Sequence, residues 1–390
     1  MTALAALMAA CAFEKIALVD HYDFHEHFDT ETASGITNIV DHVLETGADT
    51  VLWRNCGGGT MRYQTTEDTV DDAPLQPLRL PSSRSQGWIR HSKAEPDIIR
   101  TAFAYLDSRG VRRGIHWPFE ENHHNCWTLS GWNLDHPQFW CRSRTGIPWA
   151  GRCSLAFPEV VAHKLRLLDE LLERGTDTLF IDTHRTGQWM VADEFVKPNV
   201  DEWRRRYGAE MPLPDDDRWI ALVAESQYAF FKSVKLRLCS CGRKAHLGLG
   251  ISSLTPKYDN IYRRFGIDWH RLAREGVIDS IFVQSVVLPA EGDIWRELED
   301  CYRWIYANRG QAKVYFPVMQ YSVSGNEHNG YPWYAKKSGI SEVEAVKRLL
   351  SLAAECGGSG IFMECVDYGN YNPEVRAAIR GFLPSKEVQK

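Results

Sequence analysis

Short apolar runs rich in β-branched and aromatic residues recur along the chain, each bounded by turn-forming residues and followed by a stretch of helical period. Eight such runs predict strands at Ile16–Val19, Thr50–Trp53, Arg113–Trp117, Thr178–Asp182, His246–Ile251, Ser280–Gln284, Lys313–Val318 and Gly360–Glu364. Helices are predicted near 36–46, 96–109, 158–174, 217–238, 268–275, 292–308, 341–356 and 373–382. Pro96, Pro158 and Pro373 fall in presumed first turns, where a missing N–H costs nothing, and Ser341 with Glu344 reads as a capping box. Several strands have no polar face: Leu179-Phe180-Ile181, Ile281-Phe282-Val283 and Ile361-Phe362-Met363. Such strands must be covered on both sides, as in a parallel sheet under helices.

Strand and helix alternating eight times predicts an α/β fold of the (β/α)8 TIM-barrel type. The competing open, doubly wound sheet usually carries a Gly-rich phosphate turn after its first strand. Here Val19 runs into Asp20, His21 and Tyr22, and neither GxGxxG nor GxxxxGK[ST] occurs. The strand spacing leaves long βα loops after strands 2, 3 and 4, at about 54–94, 118–157 and 185–216. All three emerge at the C-terminal face, where barrel sites form. With no internal repeat or linker, residues 1–390 read as one barrel domain, 1–13 being a terminal extension.

Composition narrows the function. Hydrophobic residues make up 44% and charged residues 25%, as in soluble globular chains. The net charge of −6 lacks the excess of cations that binding phosphate backbones requires, so a nucleic-acid partner is not expected. Thr2–Phe13 is apolar but shorter than the roughly 20 residues of a membrane span, and no Lys or Arg precedes it; no membrane partner is expected and the cytoplasm is the default location. The ten Cys form no paired CxxC motif and read as reduced, mostly packed thiols. No cofactor is called for, and whether the chain forms a homo-oligomer is left open.

Tryptophan is unevenly placed. Five of the 14 (Trp117, Trp127, Trp132, Trp140 and Trp149) fall between 117 and 149, where even spacing would put about one. A satellite core under a long loop would account for them; so would a stacking surface for sugar rings. Their position in the loop after strand 3 favours the second account, with Trp333 expected across the mouth.

In this fold, function sits on side chains at strand C-termini. Strand 2 ends in Trp53 and Arg54, strand 3 in His116 and Trp117, strand 4 in Asp182 followed by His184 and Arg185, strand 6 in Gln284 and strand 8 in Glu364; Glu121 lies just past strand 3. Asp182 ends an apolar run, where an ionised group must be paired or used. A structural ion pair with Arg185 or Arg54 is the competing reading. Carboxylates around a mouth bearing Trp, His and Arg suit glycosidic bond chemistry, in which one carboxyl protonates the leaving oxygen while another attacks the anomeric carbon or activates water. Asp182, Glu364 and Glu121 are the candidate catalytic groups. Trp53, Arg54, His116, Trp117, His184, Arg185 and Gln284 are the candidate groups for a small carbohydrate substrate.

Two other classes remain. Asp20, His21, Asp23, His25 and His27 bring five potential metal ligands together after strand 1, as in metal-dependent barrel hydrolases of the amidohydrolase type, but the later ligands of that type are missing: His184 follows strand 4 and Gln284 strand 6. A non-catalytic sugar-binding barrel would keep the Trp surface without a productive carboxylate pair.

The stretches Gly47–Arg54, Cys153–Val160 and Leu179–Gly187, with Arg206-Tyr207-Gly208 and Asp217-Arg218-Trp219, resemble the glycosyl-hydrolase-like family 10 over roughly residues 36–290. The resemblance implies a TIM-barrel, glycosidase-like protein. The Asn-Glu pair that ends strand 4 in the large retaining β-glycosidase clan is absent, Asp182-Thr183 standing there, and strand 7 leads to Met319-Gln320 with no Glu. An Asp in that place is similar to the α-glycosidase barrels, which implies a nucleophile or base role for Asp182 and leaves Glu364 and Glu121 as candidate acids.

Overall fold

The computed structural model describes residues 13–19, 32–57, 60–68, 70, 96–118, 130–183, 190–242, 245–252, 260–286, 288, 292–319, 330–364 and 372–384. Eight parallel strands close into a barrel: β1 (Glu14–Val19), β2 (Thr50–Arg54), β3 (Arg112–Pro118), β4 (Thr178–Asp182), β5 (His246–Ile251), β6 (Ser280–Val283), β7 (Lys313–Pro317) and β8 (Gly360–Met363). Each strand pairs with the next, and β8 closes on β1 with Glu14 opposite Gly360 and Ile16 opposite Phe362. Every strand coincides with a predicted run and differs only at its ends.

Alternation along the strands sorts the side chains into two cores. Ile16, Leu18, Leu52, Phe180, Phe282, Tyr315 and Phe362 form the plug inside the barrel. Phe180, Phe282 and Phe362 meet with ring centroids 4.7, 5.3 and 5.4 Å apart. Residues of the other parity, such as Val51, Leu179, Ile281 and Ile361, join the helices in the outer core. The plug fits because β5 offers no side chain there: a Cβ on Gly248 would lie 2.2 Å from Phe282 Cε2. This is the large-against-small matching that fills a narrow barrel.

The helices read as one-sided surfaces. Ile294–Asn308 buries Ile294, Trp295, Leu298, Cys301, Tyr302 and Ile305, the spacing of a single helical stripe, and Asp293 caps it by accepting from Trp295 N and Arg296 N. Tyr302 stacks on Phe316 of β7 at 3.9 Å, fixing that helix to the barrel wall. Pro96 precedes the cap of its helix, which runs Ile98–Ser108 with Asp97 as N-cap. Among the described residues no helix is long and apolar enough to cross a membrane.

At the N-terminal face one carboxylate ties three strands together. Glu14 of β1 accepts from Lys313 Nζ (2.7 Å) and Tyr315 Oη (2.6 Å) of β7, and Arg112 of β3 lies 3.1 Å away. Burial alone would raise the Glu14 carboxyl, but the hydrogen bonds from Lys313 and Tyr315 and the charge of Arg112 outweigh it and hold the group below its ordinary value.

Candidate functional site

The candidate site lies one layer above the plug. Arg54, His116 and Asp182 stand in their strands two residues beyond inward-facing positions (Leu52, Gly114 and Phe180), and Gln284 and Glu364, one residue past the ends of β6 and β8, keep the same spacing from Phe282 and Phe362, so that alternation continued past those ends turns all five toward the barrel interior. Four are fully buried and Glu364 is 1% exposed. The floor beneath this polar ring is aromatic, and His116 stacks on Phe180 at 5.2 Å.

Charges placed over such a floor need partners. His116 Nε2 lies 2.9 Å from Asp182 Oδ2 with both side chains fully buried. An ionised Asp182 only accepts, and against it the imidazole would donate from Nε2. Arg54, opposite His116 in the β2–β3 register, donates from Nε to the carbonyl of Cys56 at 2.8 Å. The end of β4 is clamped to β5 by Thr183, whose hydroxyl donates to the Gly250 carbonyl at 2.5 Å. Gly250 is also the register partner of Asp182. Burial pushes the Cys56 thiol up to about 11, so this nearby sulfur is a packed thiol and not a nucleophile.

The expected residues divide clearly. Arg54, His116, Asp182, Gln284 and Glu364 are brought together. His116 contacts Asp182 directly. Trp53 and Trp117 stand on the opposite parity, in the outer core with Ile39, Val40 and Ile99 of the flanking helices, so the structure does not bring them to the interior ring. Glu121, His184, Arg185 and Trp127, like the metal candidates Asp20, His21, Asp23, His25 and His27, lie outside the described residues. Among the described residues no group of three His, Cys, Asp or Glu side chains is placed to hold a metal ion.

Local packing occupies most of the tryptophans expected to line the mouth. Trp132 is sandwiched between His136 (4.2 Å) and His163 (4.1 Å, nearly parallel). Burial pushes the His163 imidazole below its ordinary value despite the hydrogen bond with Asp68, which suits a neutral ring in a stack. Trp140 donates from Nε1 to the Asn133 carbonyl at 2.6 Å, and Trp333 is buried in the helix Tyr331–Ser338. Trp149, 40% exposed on the hairpin formed by Trp140–Arg142 and Pro148–Cys153, keeps an open face.

Sequence reasoning passed over two features. One is Gly250, whose missing side chain shapes the ring; two glycines at alternate positions of β5 were the available signal. The other is Glu194, 1% exposed, which accepts from Ser154 Oγ (2.5 Å), Cys141 Sγ (3.3 Å) and Asn199 Nδ2 (3.4 Å). It locks the hairpin after β3 to the segment after β4, a contact between distant residues that leaves no local pattern.

Comparison with known proteins places the fold. The structure is similar to the PgaB (BpsB) glycoside hydrolase domain from Bordetella bronchiseptica, with a TM-score of 0.64 at 11% identity, over 96% of this chain and 100% of that one. It is also similar to α-L-fucosidase isoenzyme 2 from Paenibacillus thiaminolyticus (TM-score 0.56, 10% identity, 94% of this chain) and to a β-galactosidase from the psychrophilic Marinomonas ef1 (0.55, 11%, 90%). The chain spans about half of those last two proteins, 48% and 53%. No protein-family model matches the sequence, nor does any curated protein. The chain therefore shares the (β/α)8 barrel fold of these proteins, and the resemblance to family 10 rests on the motifs quoted above.

Proposed function

We propose that the protein is a glycoside hydrolase acting on a small glycoside or oligosaccharide, with Asp182 as the charged group that attacks the anomeric carbon or activates water. The observation that carries this reading is that Asp182 and Glu364 are both buried at the C-terminal end of the barrel, with His116 Nε2 2.9 Å from Asp182 Oδ2. Because β4 and β8 lie on opposite sides of the closed barrel, the two carboxyl groups come from facing walls, with the ring interior between them. That placement suits a sugar held between a base or nucleophile and an acid. Glu364 is the acid within the ring, and Glu121 the alternative on the loop after β3. His116 holds Asp182 in one rotamer, and Arg54 supplies the ring's fixed positive charge. The similarity to glycoside hydrolase barrels is consistent with this chemistry.

The test is a screen of aryl glycosides with the purified protein, followed by proton NMR of the first-formed anomer. Cleavage by wild type that is lost in Asp182→Asn supports the assignment. Cleavage that survives undiminished in a folded Asp182→Asn removes it.

A further inference from the structure

Among the described residues, both hydrogen-bonding groups of the Gln284 side chain are unmet. It is fully buried at the end of β6, and neither its amide nitrogen nor its amide oxygen has a hydrogen-bond partner among the described residues. Its backbone is secured, since Gln284 N donates to the Ile251 carbonyl at 2.8 Å. The side chain does not point away from its neighbours: it lies over Gly250, and a Cβ there would come 2.8 Å from Gln284 Oε1 and 2.7 Å from the Phe180 ring. Gly250 is the register partner of Asp182. The missing Cβ therefore lets the carboxamide lie over β5, the strand that separates β6 from β4 and its Asp182.

A leucine or methionine would fill this volume without burying two unmet polar groups, so packing gives no reason for a carboxamide here. Its demand is specific: one acceptor and one donor, side by side, in the ring that also holds Asp182. A hydroxyl meets both, since it donates to the carbonyl oxygen and accepts from the amide. On a pyranoside, the hydroxyl nearest the reacting carbon is the one on the adjacent ring carbon.

We infer that Gln284 is the specificity-determining residue that reads a hydroxyl on the sugar carbon adjacent to the one attacked, an assignment that rests on the glycoside hydrolase reading of Asp182. Contacts at that hydroxyl strengthen as the oxocarbenium-like transition state forms, so the effect falls on turnover as well as on binding.

The experiment compares two substrates on two proteins. Wild type and Gln284→Met, an apolar replacement of similar length, are assayed on an aryl glycoside from the screen and on its analogue lacking the hydroxyl next to the anomeric carbon. Comparing variant with wild type on each substrate cancels the deoxy sugar's higher intrinsic reactivity. The variant is expected to lose about 10²–10³-fold in kcat/KM on the parent glycoside and less than about tenfold on the deoxy analogue. Equal losses on both substrates, or no loss on either, overturn the assignment while leaving the hydrolase reading intact. Should Gln284→Met fail to fold, Gln284→Leu, which also lacks both groups and adds no charge, takes its place. It is expected to show the same selective loss, and a uniform loss there is refuting. A wild type that cleaves no glycoside overturns the hydrolase reading and this assignment together.

Discussion

Asp182→Asn separates chemistry from stability, because the two respond to different features of the same contact. The wild-type hydrogen bond joins His116 Nε2 to Asp182 Oδ2 at 2.9 Å between two fully buried side chains. A hydrogen bond to a charged group contributes about 1.5–3 kcal/mol and a neutral one about 0.5–1.5. The amide keeps its shape and an accepting oxygen, so the exchange removes roughly 1–2 kcal/mol of pairing. Against this, a buried carboxylate carries a desolvation cost of several kcal/mol before compensation, and the amide does not. The two effects oppose each other, and the variant is expected to unfold within about 1 kcal/mol of wild type.

Catalysis has no such offset. An amide neither attacks an anomeric carbon nor takes a proton from water, and the loss in kcat is expected to be on the order of 10³-fold or more. The assays are urea unfolding followed by fluorescence of the 14 tryptophans, and initial rates on an aryl glycoside. Full kcat in a normally folded variant refutes the catalytic role. A loss of activity matched by a stability loss of several kcal/mol refutes the separation and makes Asp182 a structural ion-pair partner. His116→Ala is the complement: it deletes a donor to a buried carboxylate and is expected to cost about 1–3 kcal/mol while also lowering kcat.

Three further outcomes follow from the packing. Gly248→Ala puts a Cβ 2.2 Å from Phe282 Cε2 and 2.9 Å from Ser280 Oγ, and should destabilise by about 1–3 kcal/mol or more in chemical denaturation; a neutral result would mean the aromatic plug is loose. Trp117→Ala should cost about 3–5 kcal/mol with KM unchanged, as befits an outer-core residue; a raised KM at full stability would return Trp117 to the substrate. The third concerns acid. Because the folded Glu14 carboxyl sits below its ordinary value of 4.5, its stabilisation is present above that value and disappears as pH falls through the lower folded one. The stability gap between wild type and Glu14→Gln, measured by urea unfolding from pH 7 to pH 3, should therefore shrink below about pH 4.5. A gap constant across that range would show that Glu14 contributes shape and not charge.

The strands were legible because their burial is total. Runs such as Leu179-Phe180-Ile181 tolerate no exposed face, so the pattern that marks them is also the reason they fold as they do. Helices bearing a clear apolar stripe were legible for the same reason. Lys197–Tyr207 was not: it buries only Asn199 and Trp203 and carries a charged last turn, so little apolar period marks it. Tyr331–Ser338 and the hairpin Trp140–Cys153 are short elements whose partners lie far away in sequence.

At the site, position along a strand proved more informative than composition. Asp182, Gln284 and Glu364 were found by being the first polar residues past an apolar strand, and the structure sets all three over the plug. The abundance of tryptophan pointed to a stacking wall, but abundance carries no direction. Trp53 precedes Arg54 and Trp117 follows His116, and consecutive residues of a strand cannot both face the interior. Assigning Arg54 and His116 inward already sends both indoles outward, to the helices. The same alternation extends below the ring. The layer of Leu52, Phe180, Phe282 and Phe362 holds the barrel closed by apolar contact, and the layer two residues later carries no such burden. That division leaves the upper layer free to hold a buried cation, two carboxylates and an amide with unmet hydrogen bonds, groups that would be costly as core but are suited to binding a polar substrate.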